Sequence, residues 1–151
     1  MMKIGLISDT HGHLGRDAVA ALAGCDQVVH AGDIGPGVLE ALSRIAPVVA
    51  VRGNNDRNGP ESSLPASVAI ELGGRRFLVV HRLMDAPQGE WDVVVFGHSH
   101  RRQVDLSGPQ IRINPGSAGV RGFHDRRSVA VLDVGDRVEY EFIDLGPRSG
   151  R

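Results

Sequence analysis

The chain has 151 residues, of which 41% are hydrophobic and 23% charged, and its formal charge at neutral pH is −1. That length fits one domain with a sizeable core, the hydrophobic fraction excludes a disordered chain, and the charge balance excludes a generic nucleic-acid binder, which needs a basic surplus. Cys25 is the sole cysteine, which excludes an internal disulfide and a thiolate zinc cluster, so a metal site would have to be built from the seven histidines together with Asp and Asn.

Met1-Met2-Lys3 leads into a short apolar run that meets Ser8-Asp9-Thr10-His11 almost at once, which does not read as a signal peptide. No stretch approaches the roughly 20 apolar residues that cross a bilayer. With the lone cysteine, this points to the cytoplasm. Ile4–Ile7 reads as a buried strand, and Leu14–Ala23 as a helix stopped by Gly24. Gln27–His30 is a second strand, Pro36–Ile45 a second helix with Pro36 in its first turn, and Pro47–Val51 a third strand. Strand alternating with helix predicts parallel pairing. The remainder is richer in strands. Ser67–Leu72 and Arg76–Val80 flank Gly73-Gly74, a hairpin signal. Asp92–Phe96 is a dense apolar run, while Arg102–Leu106 and Gln110–Ile113 flank Ser107-Gly108-Pro109. Ser128–Val134 and Arg137–Ile143 flank Gly135-Asp136, and the second of these alternates like a half-exposed strand. Residues 1–145 read as one domain and 146–151 as a frayed tail.

The polar residues fall at the ends of these strands. Asp9 and His11 follow the first, Asp33 the second, Asn54, Asn55 and Asp56 the third, His81 the strand ending at Val80, and His98 and His100 the strand ending at Phe96. In α/β sheets, ligands bind beyond the carboxyl ends of the strands, so these segments converge on one rim. Residues two apart on an extended segment face the same way, which pairs Asp9 with His11 and His98 with His100. Gly12, Gly32, Gly53 and Gly97 stand where the backbone must turn tightly or approach an ion. Such oxygen and imidazole donors suit Mn²⁺, Zn²⁺, Fe or Ni²⁺ better than Ca²⁺ or copper, and seven donors suit two ions sharing a carboxylate. Any one of these motifs alone is commonly a turn or a satisfied structural residue; the ordered set is what points to metal. Outside it, His30 reads as a core or supporting residue, His13 as a surface residue and His124 as part of a solvated basic loop. Asn114-Pro115-Gly116-Ser117 reads equally well as a plain turn and as a brace or anion nest beside the rim.

In its ordered blocks Asp9-x-His11, Gly32-Asp33, Gly53-Asn54-Asn55-Asp56, His81 and Gly97-His98-Ser99-His100, the sequence resembles the calcineurin-like metallophosphoesterases. The short chain and Asn114-Pro115-Gly116-Ser117 resemble the compact, YfcE-type phosphodiesterase branch. The resemblance implies a four-layer α/β/β/α sandwich of two mixed sheets flanked by helices. It implies Asp9, His11, Asp33 and His100 on one divalent ion, and Asp33, Asn54, His81 and His98 on the other, with Asp33 as the bridge and Mn²⁺ the expected metal. A hydroxide shared by the ions would attack a small phosphate ester, and Asp56 would orient Asn54. Two departures stand out. Asn55 occupies the place where many members carry a histidine that assists the leaving group, and His13 is the candidate substitute acid. Arg82 follows His81 where a glycine is usual, and the segment 82–91 is too short and too interrupted for the helix of relatives, which leaves an apolar face open to a second subunit. Arg121, Arg82 and Arg52 are the candidates for holding the substrate. The expected activity is phosphodiester hydrolysis; a phosphomonoesterase or nucleotidase with the same site, and a non-catalytic binding scaffold of the same fold, are the alternatives.

Overall fold

The computed structural model describes residues 1–148. Ten strands form two five-stranded sheets: β1 (Met2–Ile7), β2 (Gln27–His30), β3 (Val48–Ala50), β4 (Ser67–Leu72), β5 (Arg75–Val80), β6 (Val93–Val95), β7 (Arg102–Asp105), β8 (Ile111–Pro115), β9 (Arg126–Val134) and β10 (Val138–Pro147). The first sheet runs β10-β9-β1-β2-β3, and the second runs β4-β5-β6-β8-β7. In each, three neighbouring strands are parallel, β1-β2-β3 and β5-β6-β8, and the other two strands of each sheet pair antiparallel. The expected α/β sandwich of two mixed sheets is therefore present.

Alternation along the strands builds the layers. On β5, Phe77 and Val79 face the other sheet and join Ile4, Leu6, Val29, Val95, Ile113 and Leu132 in the central core. Leu78 and Val80 of the same strand point outward. The outer face of the first sheet is covered by α1 (Arg16–Leu22) and α2 (Val38–Ser43), whose Ala18, Leu22, Val38 and Leu42 pack on Ile7, Val28 and Val129. Among the described residues, the outer face of the second sheet has no such helix. Only a 3₁₀ turn, Leu83–Asp85, and the segment leading to Trp91 cover Leu78, Val80, Val94 and Phe96. The fourth layer is thus thin, as the short segment 82–91 predicts, and a hollow of about 500 Å³ opens beside Leu83, Pro87 and Trp91.

Several boundaries differ from the sequence reading. The second helix starts at Val38 and not at Pro36, because Gly37 is left-handed and cannot continue a helix backwards. The first starts at Arg16, after an extended Gly15. Asn114 and Pro115 belong to β8 rather than to a turn after it. Gly146 and Pro147, assigned to a frayed tail, belong to β10 and pair with Arg127 and Arg126 of β9, and Arg148 donates its N–H to Asp125 O. The rest of that expected tail, 149–151, lies outside the described residues. The loop 121–127 is not simply solvated either. Arg127 is buried and binds both carboxylate oxygens of Asp17 on α1 at 2.8 and 2.9 Å.

Candidate metal centre

The ends of β1, β2, β3, β5 and β6 meet at one rim. Asp9 and Asp33 are buried there, and their carboxylates face the rings of three histidines. Asp33 Oδ2 lies 3.4 Å from His81 Nε2 and 3.7 Å from His11 Nε2, so it stands between two groups of donors. Asp9 Oδ1 lies 3.3 Å from His100 Nε2. His98 Nδ1 lies 3.2 Å from Asn54 Oδ1 and 3.3 Å from His81 Nε2. The seven residues singled out by the sequence motifs are therefore within a few ångströms of their neighbours in the set. Asp9, His11 and His100 form one compact group of donor atoms, and Asp9, Asp33 and His81 another.

The backbone is bent to present them. Asp9, His11, Asp33, His98 and His100 all have positive φ, between 46° and 78°. That conformation is uncommon outside glycine and costs of order 1–3 kcal/mol where it is forced. It persists here because the loops are held on both sides. His11 N–H donates to Asp33 O, Asp9 N–H to Gly32 O, and His98 N–H to Asp9 Oδ2. Gly97 must be glycine for this contact, since a Cβ there would collide with Ser8 Oγ and lie 2.7 Å from Asp9 Oδ2. Asn114 and Ser117 brace the same rim. Asn114 Nδ2 donates to Gly97 O, and Ser117 Oγ donates to Asp9 O.

Hydrogen bonds at the back of the rings fix the tautomers. His81 Nδ1 faces Ala31 O at 2.8 Å; a carbonyl only accepts, so Nδ1 carries hydrogen and Nε2 is turned to the site. His124 Nε2 likewise donates to Gly119 O at 3.0 Å, which leaves its Nδ1 as an acceptor. His100 Nδ1–H therefore donates to His124 Nδ1 at 3.2 Å, and His100 Nε2 offers its lone pair beside Asp9. His30 is fully buried, and burial pushes its pKa down to about 3, so the ring is neutral. It accepts from Gly32 N–H and donates from Nε2 to Thr10 Oγ1, whose hydrogen goes to Ile34 O, tying the Asp9 and Asp33 loops together.

The electrostatics ask for a cation. Burial opposes charge on His81, yet Asp33 and Asp9 outweigh it and hold its pKa above the ordinary value. Burial likewise disfavours the charged form of Asp33, but His81 and the two donors of Asn55 hold its carboxyl below the usual range. Asp9 Oδ1 and His11 Nε2 are buried and have no hydrogen-bond partner among the described residues. Buried polar atoms are rarely left unpaired in folded proteins, and these two belong to the same group of donors with His100. A divalent cation would satisfy both, and the donor set of carboxylate, amide oxygen and imidazole fits one.

The remaining expected residues divide. Asn55 lines the hollow, with its N–H and Nδ2 both donating to Asp33. Arg121 stands at the mouth of the same hollow, which measures about 330 Å³. Asp56 does not orient Asn54. Its carboxylate accepts the N–H groups of Ile34, Gly35 and Gly53 instead, so it binds the Asp33 loop to the Asn54 loop through backbone. His13 turns back toward Gly15 at the start of α1 and does not line the hollow, which removes it as a substitute acid. Arg52 and Arg82 line a neighbouring depression that shares Asn54 with this hollow and also takes in His81; Arg52 donates to Leu64 O, and Arg82 pairs with Asp85. His124 is the contributor that sequence reading missed. Its flanking arginines and aspartate looked like a solvated loop, and the only local signal was Gly122, where a Cβ would collide with the His100 ring.

Two parallel triplets of strands thus bring acidic, amide and imidazole donors to one rim, the arrangement of a candidate metal centre. Residues 2–137 match the calcineurin-like phosphoesterase superfamily domain, and the chain belongs to that superfamily. It is similar to a probable metallophosphoesterase of Methanothermobacter thermautotrophicus, 32% identical across 96% of this chain and 94% of the relative. It is also similar to the phosphodiesterase YfcE of Escherichia coli, 28% identical over 88% of each chain. The solved structure of an archaeal phosphodiesterase superposes with a TM-score of 0.80 at 26% identity, covering 95% of this chain and all of the other.

Proposed function

We propose that the protein is a phosphodiesterase that uses two divalent cations, Mn²⁺ foremost, with Zn²⁺, Fe or Ni²⁺ suited to the same donors. Asp9, His11, Asp33 and His100 would hold one, and Asp33, Asn54, His81 and His98 the other. The observation that carries this reading is the convergence of those donors around two buried atoms, Asp9 Oδ1 and His11 Nε2, that lack a hydrogen-bond partner among the described residues. When bound, such ions supply an acidified water as nucleophile and take up charge on the phosphoryl oxygens. The chain's own residues do the rest. Asp33 Oδ2 sits between His11 and His81, where one carboxylate serves both groups of donors. Arg121, at the mouth, would take a phosphate oxygen through a charge-assisted hydrogen bond. Asn55 is committed to Asp33 and has no acidic proton to give, so leaving groups that depart unprotonated are favoured. The curated relatives named as phosphodiesterases support diesters over monoesters. The complete donor set argues against a scaffold role alone.

The test is a metal titration with hydrolysis of bis(p-nitrophenyl) phosphate. Two ions per chain and loss of turnover on chelation are expected. His98→Ala and Asp33→Asn should each lower kcat by orders of magnitude while the far-UV circular dichroism stays unchanged. Near wild-type turnover of either variant at saturating Mn²⁺ would overturn the ligand assignment.

A further inference from the structure

The metal hollow has a neighbour. A second hollow of about 270 Å³ adjoins it, and the two share the wall formed by His100, Arg101, Phe123 and His124. Arg102 and Arg126 add to the second hollow, against the single acidic Asp125. Arg126 is engaged with Asp144 at 2.7 Å. The side chains of Arg101 and Arg102 are exposed and form no hydrogen bond or ion pair among the described residues. This is a local surplus of positive charge on a chain whose net charge is −1.

Phe123 stands on the divide with its side chain 100% exposed. An isolated exposed apolar residue is ordinary, but this one is held out by an anchored loop. On one side of it His124 is buried and bonded to Gly119 O and His100; on the other, Gly122 packs directly on the His100 ring. The loop therefore cannot fold Phe123 inward without releasing a residue of the metal centre. A flat aromatic ring presented between a phosphoryl-binding site and two unpaired guanidinium groups is the arrangement that takes a nucleobase with a phosphate on either side.

We propose that the substrate is a small nucleoside phosphodiester carrying a second phosphate across its sugar. The scissile phosphate lies over the metal centre, the base stacks on Phe123, and the second phosphate enters the adjoining hollow beside Arg101 and Arg102. This rests on the phosphodiesterase reading above and adds the substrate class to it.

Three substrates with the same p-nitrophenolate leaving group separate the contributions: methyl p-nitrophenyl phosphate, thymidine 5′-(p-nitrophenyl phosphate), and the latter with a 3′-phosphate. With the Mn²⁺-loaded enzyme, kcat/KM should rise about tenfold with the nucleoside, the scale of one base–aromatic stack, and again with the 3′-phosphate. Phe123→Ala should remove the first increment and Phe123→Trp restore it. The double variant Arg101→Ala/Arg102→Ala should remove the second. Calorimetric titration of thymidine 3′,5′-bisphosphate into the metal-free protein gives a readout independent of turnover, and binding should weaken about tenfold in Phe123→Ala and in the double variant. Equal kcat/KM for the three substrates, or increments that survive in the variants, overturns the subsite while leaving phosphodiester hydrolysis in place. Binding of the bisphosphate that depends on Phe123 and the arginines, without turnover of any of the three substrates, keeps the subsite and removes the hydrolase reading.

Discussion

At the scale of single residues, the metal centre is controlled from behind. His124 touches no other expected ligand than His100, yet it decides which nitrogen of that ring carries hydrogen. His124→Ala removes the acceptor for His100 Nδ1–H, so the ring loses both its tautomer and its orientation. The expected result is a Mn²⁺ affinity about 10–100-fold weaker, the usual effect of losing such a supporting partner, measured by competition with a chelator. The melting temperature of the metal-free variant should also fall, because buried His124 gives up its hydrogen bond to Gly119 O, so the affinity is the readout that separates the two roles. His124→Gln, which keeps a donor and an acceptor, should recover part of the affinity. A variant that melts early but binds Mn²⁺ normally would make His124 a structural residue only. The ligands themselves were legible because each follows an apolar strand. His124 was not, since its burial comes from a loop folding back onto Gly119, and no periodicity in the sequence records such a fold.

At the scale of elements, α1 is a short helix whose position depends on one long-range pair. Its Ala18 and Leu22 are buried against the first sheet, and Asp17 reaches Arg127 of β9, 110 positions later in the chain. The Arg127 guanidinium holds the Asp17 carboxyl below its ordinary value, with Ala18 N–H adding to the effect against the opposing influence of burial. Because the folded value is depressed, this contribution is present in full above about pH 4 and is lost as the pH falls through the folded value. Asp17→Asn should therefore destabilise the metal-free protein at pH 7 by about 1 kcal/mol, after allowance for the solvent-exposed side of Asp17. In urea unfolding, the gap from wild type should be narrower at pH 3.5 than at pH 7; an equal gap at both would mean that charge is not the cause. The helix itself was legible from its Ala-rich apolar spacing. Its clamp was not, because Arg127 belongs to a run that reads as a solvated basic loop, and nothing near Asp17 marks a partner so far along the chain. The ends of α2 were misjudged for a related reason. Pro36 looks like a first-turn proline, and only the left-handed Gly37 that follows it delays the start to Val38.

At the scale of the whole molecule, composition and alternation gave the α/β class, and the hairpins at Gly73-Gly74, Ser107-Gly108-Pro109 and Gly135-Asp136 gave three antiparallel pairs. What they could not give is where the last hairpin docks. β9 inserts beside β1, pairing Leu6 with Ala130 and Gly5 with Val131, so the first strand of the chain becomes the centre of its sheet. Pairing over such a sequence separation is decided by the inner faces of both sheets together, not by any local signal. The same placement has a consequence for how the protein is made. While a ribosome is still adding residues after β8, β1 already has β2 on one side, and its other edge has no partner until Arg126–Val134 emerges. A nascent chain therefore carries an open, apolar strand edge through most of its synthesis, the kind of edge on which chains join one another. Chains ended just before Arg126 should collect in the insoluble fraction on expression, and supplying residues 126–148 as a separate peptide during synthesis should return part of them to solution.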